Sequence, residues 1–358
     1  MLKRLITISF ICFSLFVKAN MAEPVDRSGS LGSRPFTNQF VDIEHEDLYM
    51  KIDKDFQTAL YHITYHINAK KEGQQIPLLF YASDWINGFK VLVDGKEVAH
   101  QHVPERYFED NDFTDFNYIF GDDEEDVLLD TSPTSGFIIN LKDMLYFETD
   151  ITKGKHTIEV FYEGYRWRNG INWVNEYSFR YSLSPVKYWK SFGTLDITID
   201  ATAFNHDFTT NLGNPISKEN KLFKWHFDKL PAQAMLIDYD PKISTFAELV
   251  VAMEAFGLAS FIGLILLTLY IPVVVGYRKR HPDKKYSWVV ILGAFTLPFL
   301  FMLTWLYSYE FIDYVIGEHA GKEHGYSTFF ALFVYPLAIP VFWITFWIID
   351  KRAKNTIK

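Results

Sequence analysis

From Tyr61 the chain alternates, with Tyr61, Ile63, Tyr65 and Ile67 on one side and His62, Thr64 and His66 on the other. A period of two marks a half-buried strand, because successive side chains leave a pleated ribbon on opposite faces. The pattern returns at Phe89, Val91 and Val93, at Ile158, Val160 and Tyr162, at Leu195, Ile197 and Ile199, and at Phe223, Trp225 and Phe227. Asn87-Gly88, Asp94-Gly95, Gly154 and Asn169-Gly170 separate these runs with residues suited to tight turns. Many short strands at this spacing predict a mainly β region, an antiparallel β-sandwich of one or two modules, with a long acidic insertion between Glu105 and Asp130.

Near residue 243 the period-two pattern gives way to long apolar runs. Residues 255–276, 288–309 and 328–349 are each about twenty residues long, the length a helix needs to cross roughly 30 Å of hydrocarbon. The chain therefore divides into a signal peptide (1–19), a β-rich extracytoplasmic domain (20–242) and a membrane domain with three transmembrane helices (243–358). The leader reads Lys3, Arg4, an apolar run from Leu5 to Val17, and a small-residue ending at Ala19. Its apolar run is too short to span a bilayer.

Charge orients the spans. Arg278, Lys279, Arg280, Lys284 and Lys285 follow the first, and Lys351, Arg352, Lys354 and Lys358 follow the third. The loop after the second holds Glu310, Asp313, Glu318 and Glu323 against Lys322. By the positive-inside rule the basic flanks are cytoplasmic and the acidic loop lies with the ectodomain. The expected location is a bacterial inner membrane, with the ectodomain periplasmic and the C-terminus cytoplasmic.

Composition narrows the chemistry. Between positions 20 and 247 the charge balance is about −14, which disfavours a nucleic-acid partner because such a surface repels phosphate. Cys12, the one cysteine, lies in the leader, so the mature chain has no disulfide and no thiolate site. His45-Glu46-Asp47-Leu48-Tyr49 lacks the second histidine of a zinc-protease helix. Gly154-Lys155-His156-Thr157 lacks the upstream glycine of a phosphate loop, and no nucleophile elbow occurs.

Four groupings remain as candidates. His62 and His66 stand at i, i+4, roughly 13 Å apart on a strand and so too far to share one ion; they read as solvent-facing. Asp110, Asp112, Asp115, Asp122 and Asp123, within a run of nine carboxylates, offer the oxygen ligands calcium prefers, without the glycine of an EF-hand loop. His319 and His324, beside Glu318 and Glu323, read as a solvated outer loop. The densest binding chemistry is Arg166, Trp167, Arg168, Trp173, Arg180 and Trp189, interleaved with Tyr165, Tyr177, Phe179, Tyr181 and Tyr188. Exposed, it would form a hot-spot surface for a protein or glycan partner; strand alternation would instead bury half of it. In the first span, Ala255, Ala259 and Gly263 present a face of small residues to a neighbouring helix, and Glu254 stands near the outer boundary.

Two stretches resemble uncharacterised bacterial exported proteins that carry a domain of unknown function. They are Ile43, Glu44, His45, Glu46, Asp47, Leu48 and Tyr49, and then Tyr181, Ser182, Leu183 with Trp189, Phe192, Gly193, Leu195, Ile197 and Asp200. The strand order near 48–98 is also similar to the amino-terminal β-domain of M1 aminopeptidases, whose zinc motif this chain lacks. Neither resemblance implies a site. The expected role is a non-enzymatic inner-membrane component whose ectodomain binds a protein or glycan partner, with another envelope protein as the expected one. The alternatives are an envelope hydrolase with a carboxylate or metal site, or an accessory subunit of a transporter.

Overall fold

The computed structural model describes residues 32–35, 38–70, 74–81, 88–102, 117–118, 126–132, 135–140, 144–183, 189–232, 234–321 and 325–357. They fall into a β unit (Asp26–Glu248 with Ile316–Ala320) and a helical unit (Leu249–Val315 with Gly321–Lys358). The expected signal peptide lies outside the described residues.

The largest sheet of the β unit has eight strands, ordered β17 (Ser217–Glu219), β18 (Leu222–Phe227), β15 (Trp189–Asp200), β2 (Asn38–Ile52), β3 (Thr58–Ala69), β12 (Gly154–Tyr165), β5 (Lys90–Val93) and β6 (Lys96–Val98). A four-stranded sheet runs β13 (Trp167–Asn169), β14 (Glu176–Ser182), β19 (Ala234–Tyr239) and β16 (Thr209–Thr210). Two smaller sheets are ordered β1 (Gly32–Pro35), β4 (Gln74–Tyr81), β11 (Met144–Ile151), β7 (Gln101–His102), and β10 (Ser135–Asn140), β9 (Asp126–Ser132), β8 (Asn117–Tyr118). The mainly β prediction holds, with one difference from a purely antiparallel sandwich: β2 and β15 pair in parallel. These two strands lie far apart in sequence, so the long chain between them supplies the crossover that a parallel pair requires.

The alternation read from the sequence sorts the two faces of the large sheet. Tyr61, Ile63, Tyr65 and Ile67 of β3, Ile158, Val160 and Tyr162 of β12, and Leu195, Ile197 and Ile199 of β15 all point into one core. Tyr177, Phe179 and Tyr181 of β14 and Met235, Ile237 and Tyr239 of β19 face them from the second sheet. Each fully buried side chain of this kind contributes about 1.5–3 kcal/mol. The turn between β2 and β3 places Phe56 at φ 54°, an uncommon conformation for a side chain of this size. Its ring is fully buried, 4.7 Å from Phe179 and 5.0 Å from Phe204, and that burial offsets the backbone strain.

One irregularity decides what the outer face carries. Between Ile43 and His45, β2 bulges, so that Ile43 opposes Ile67 while His45 already opposes His66. The extra residue, Glu44, resets the alternation, so Glu46 and Leu48 point inward and His45 and Asp47 outward. Gly193 of β15 permits this, because a Cβ there would lie 1.9 Å from the Glu44 carbonyl oxygen.

The helical unit has three helices, α1 (Thr245–Arg280), α2 (Trp288–Ile316) and α3 (Gly325–Ile357). All three are long and apolar enough to cross a membrane. α1 breaks its helical geometry at Glu254 (φ 55°, ψ 169°), at the start of the predicted span. The small-residue face is used: Ala255 and Ala259 are buried, and Gly263 faces the ring of Phe301 on α2. Gly293 likewise leaves room for Tyr270, whose hydroxyl donates to the Val289 carbonyl at 2.9 Å. A buried Arg278–Asp350 ion pair ties α1 to α3, with Arg278 Nε donating to Asp350 Oδ1 at 2.8 Å.

Candidate functional site

Histidines and carboxylates interleave across five strands on the outer face of the large sheet. The register sets Asp196 of β15 between Asp47 of β2 and His226 of β18, and His45 between Thr194 and His66. The row of Asp196 and Asp47 continues through Thr64 of β3 to Glu159 of β12, with Nε2 of His62 3.2 Å from the Glu159 carboxylate.

The tightest grouping is His45, Asp47 and Asp196, whose donor atoms all lie within 4.8 Å of one another. His45 Nε2 is 3.1 Å from Asp47 Oδ1 and 3.5 Å from Asp196 Oδ2. The other ring nitrogen, Nδ1, is 2.7 Å from Thr194 Oγ1. The outer oxygens of the two carboxylates are taken as well, Asp47 Oδ2 by His66 Nε2 at 3.3 Å and Asp196 Oδ1 by His226 Nδ1 at 2.5 Å. The bond to Asp196 raises the His226 imidazole above its ordinary value, against a smaller desolvation effect. Imidazole with two carboxylates is a donor set for a divalent metal of intermediate softness.

Beside this trio an open groove of about 420 Å³ is lined by Glu44, His45, His66, Asp94, Lys155 and His156 among others. Its polar groups are paired: Lys155 donates to Glu44 at 2.7 Å, and His156 Nδ1 lies 2.7 Å from Asp94 Oδ2. The hydrogen bonds from Lys155 and then Asn68 hold the Glu44 carboxyl below its usual range.

On the opposite face of β2, between the two outward residues, Glu46 enters the core. It accepts a hydrogen bond from the Tyr181 hydroxyl at 3.1 Å, and that hydroxyl is 3.0 Å from Tyr65 Oη. Burial pushes the Glu46 carboxyl up to about 7; the tyrosine hydrogen bond opposes this and the nearby Asp47 charge adds to it.

The residues singled out from sequence sit elsewhere. Trp167 is buried at 4% exposure beneath the Arg180 guanidinium, which is centred 4.8 Å above its ring. Arg180 also donates to Ser178 Oγ. Arg166 lies 3.5 Å over the Tyr177 ring and donates to the Phe56 carbonyl at 3.1 Å, closing the turn that carries Phe56. Arg168 and Trp173 are half-buried. The Trp189 side chain lies outside the described residues, as do Asp110, Asp112, Asp115, Asp122 and Asp123 with the calcium expectation. His62 and His66 face outward as expected, each against a carboxylate. His319 packs edge-on against Tyr177 and Tyr239 in the β unit, while Glu323 and His324 are outside the described residues.

Sequence reading missed the trio. Its one local signal is His45 and Asp47 at i, i+2 on a strand; Asp196 joins them only through the parallel pairing.

No family model matches the chain, and no curated protein matches it. Among solved structures it is similar to a Legionella pneumophila protein described as nutrient-binding, at 13% identity over 59% of this chain and 72% of that one, with a TM-score of 0.37. It is similar to leukotriene A4 hydrolase of Saccharomyces cerevisiae at 10% identity, over 66% of this chain and 34% of that one, with a TM-score of 0.34. An M1 zinc metallopeptidase from Deinococcus radiodurans matches at 11% identity over 58% of this chain and 46% of that one, with a TM-score of 0.26. At these scores the similarities carry no assignment of activity or ligand.

Proposed function

We propose that the chain is a non-enzymatic component of a bacterial inner membrane, and that its periplasmic β unit docks another envelope protein on the outer face of the large sheet. The observation that carries this reading is the lattice of His45, His62, His66 and His226 among Asp47, Glu159 and Asp196. Charged and hydrogen-bonding groups fixed on strands meet a partner with little ordering cost, which favours a rigid face over a loop for recognition. The charge contrast between the helix-flanking segments supports a cytoplasmic C-terminus. A second observation agrees: Ile316–Ala320, from the loop predicted to face the ectodomain, packs in the β unit, where Asn175 Nδ2 donates to the Ala320 carbonyl at 2.7 Å.

Two experiments test it. A reporter that folds only in the cytoplasm should be active when fused at Lys284 and at Lys358, and one that needs export should be active at Gly321; export-type activity at Lys284 contradicts the topology. For docking, the full chain carrying His62→Ala, Glu159→Ala and His226→Ala should retain at least tenfold less of the membrane protein that co-purifies stoichiometrically with the wild type in mild detergent. Equal recovery by the folded variant removes this face.

The His45, Asp47 and Asp196 grouping also favours a second reading, an envelope hydrolase with a carboxylate–metal site. Against it, the grouping stands on an open sheet face that does not exclude water, a poor setting for charge-stabilised catalysis. Hydrolysis of an envelope ester or amide by the purified chain, abolished by Asp196→Asn, would establish this second reading.

A further inference from the structure

We infer that His45, Asp47 and Asp196 bind one zinc-type divalent ion on the outer face of the large sheet, with a coordination position left open beside the groove. The inference goes beyond docking and holds whether or not a protein partner uses this face.

The distances suit an ion. Zinc bonds of about 2.0–2.2 Å at tetrahedral angles place neighbouring donors about 3.3–3.6 Å apart. From His45 Nε2 the two carboxylate oxygens stand at 3.1 and 3.5 Å. A single proton serves this arrangement poorly, because one N–H makes one strong hydrogen bond and two anionic oxygens approach the same nitrogen. A divalent ion satisfies all three donors at once and cancels both carboxylate charges.

The surrounding shell supplies an independent observation. Each of the three donor residues has its own polar partner on the side away from the shared centre: Thr194 Oγ1 on His45 Nδ1, His66 Nε2 on Asp47 Oδ2, and His226 Nδ1 on Asp196 Oδ1. Such outer partners orient metal ligands, and losing one typically weakens affinity about 10–100-fold. The bulge at Glu44 and the missing side chain at Gly193 put His45 and Asp47 on this face. An imidazole among the donors favours zinc and its neighbours over calcium or magnesium, which take oxygen ligands. Three protein donors leave a fourth position for water or for a donor atom from a ligand lying in the groove of Glu44, Lys155 and His156.

The test uses the full chain in detergent, stripped with chelator and titrated with zinc, and with cobalt as a spectroscopic stand-in. Wild type should bind one equivalent that survives desalting, and its cobalt form should show the intense visible absorption of a four-coordinate site. His45→Ala and Asp196→Asn should each weaken zinc binding at least 100-fold, and Thr194→Val, which removes no ligand, about tenfold. His100→Ala, exposed beyond the far edge strand of the sheet, should bind as wild type does. Calcium at the same concentration should not compete. Absence of a stoichiometric equivalent in the wild type overturns the inference, and so does undiminished binding by Asp196→Asn with an unchanged melting temperature. Equal weakening by His100→Ala would show scattered surface histidines instead of one centre, and would overturn it as well.

Discussion

The two faces of the eight-stranded sheet are built from the same strands with opposite chemistry. Inward, Leu48, Ile63, Val160 and Ile197 pack into an apolar core that the buried Glu46 also enters. Outward, on the same strands, His45, Asp47, His62, Glu159 and Asp196 stand half-exposed and paired with one another. The inner face is explained by stability. The outer face holds more specific pairing than solubility requires, since exposed ion pairs contribute only about 0–1 kcal/mol each. Folding therefore falls to one face and the proposed recognition to the other.

The sharpest test of that division is a truncation on the inner face. Ile197→Ala, at 0% exposure, should destabilise the β unit by about 2–5 kcal/mol in chemical denaturation, from lost burial and the cavity left behind.

Next is the carboxylate on the wrong side of the division. Glu46 titrates near 7 when folded, above its ordinary value of 4.5. Above pH about 4.5 the unfolded chain releases this proton and the folded chain holds it, so stability falls with rising pH until about 7 and then levels. The loss amounts to roughly 3 kcal/mol. Glu46→Gln keeps an acceptor for Tyr181 and should flatten this slope, making the variant the more stable chain at pH 8 by melting temperature. A slope that survives the substitution would mean the carboxylate is not the group responsible.

A smaller effect is expected where the two faces are set in register. Gly193→Ala forces a methyl group against the Glu44 carbonyl and should cost about 1–3 kcal/mol, as overpacking does. It should also disturb zinc binding through the bulge, which a distant substitution of equal cost would not do. The smallest effect belongs to the outer face: His62→Ala should change stability by less than about 0.5 kcal/mol. A large loss there would return the outer face to a structural role.

Much of this division was legible in the sequence. Period-two runs such as Tyr61 to Ile67 named the inner residues, because a strand offers only two faces. Three apolar stretches of bilayer length announced the helices, although α1 begins earlier than its apolar run and breaks at Glu254. Strand parity places Trp167, Tyr177, Phe179 and Tyr181 together with Tyr165 and Trp173; the first four are buried, while Tyr165 is exposed and Trp173 half-buried. Which parity faces solvent was not readable, since it depends on the second sheet closing over β3 and β12. The trio was hidden for two physical reasons. The bulge at Glu44 breaks the alternation that would otherwise point His45 inward, and the parallel pairing of β2 with β15 joins segments about 150 residues apart.

The most direct test of recognition on the outer face is site-specific photo-crosslinking in intact cells. A photoreactive residue replaces His62, on the polar lattice, or Ile216, exposed at the sheet edge with 71% of its surface accessible. Recognition on this face predicts a discrete cross-linked species containing one envelope protein from position 62 and none from position 216. The same species from both positions, or none from position 62 in a folded and membrane-inserted chain, would contradict it.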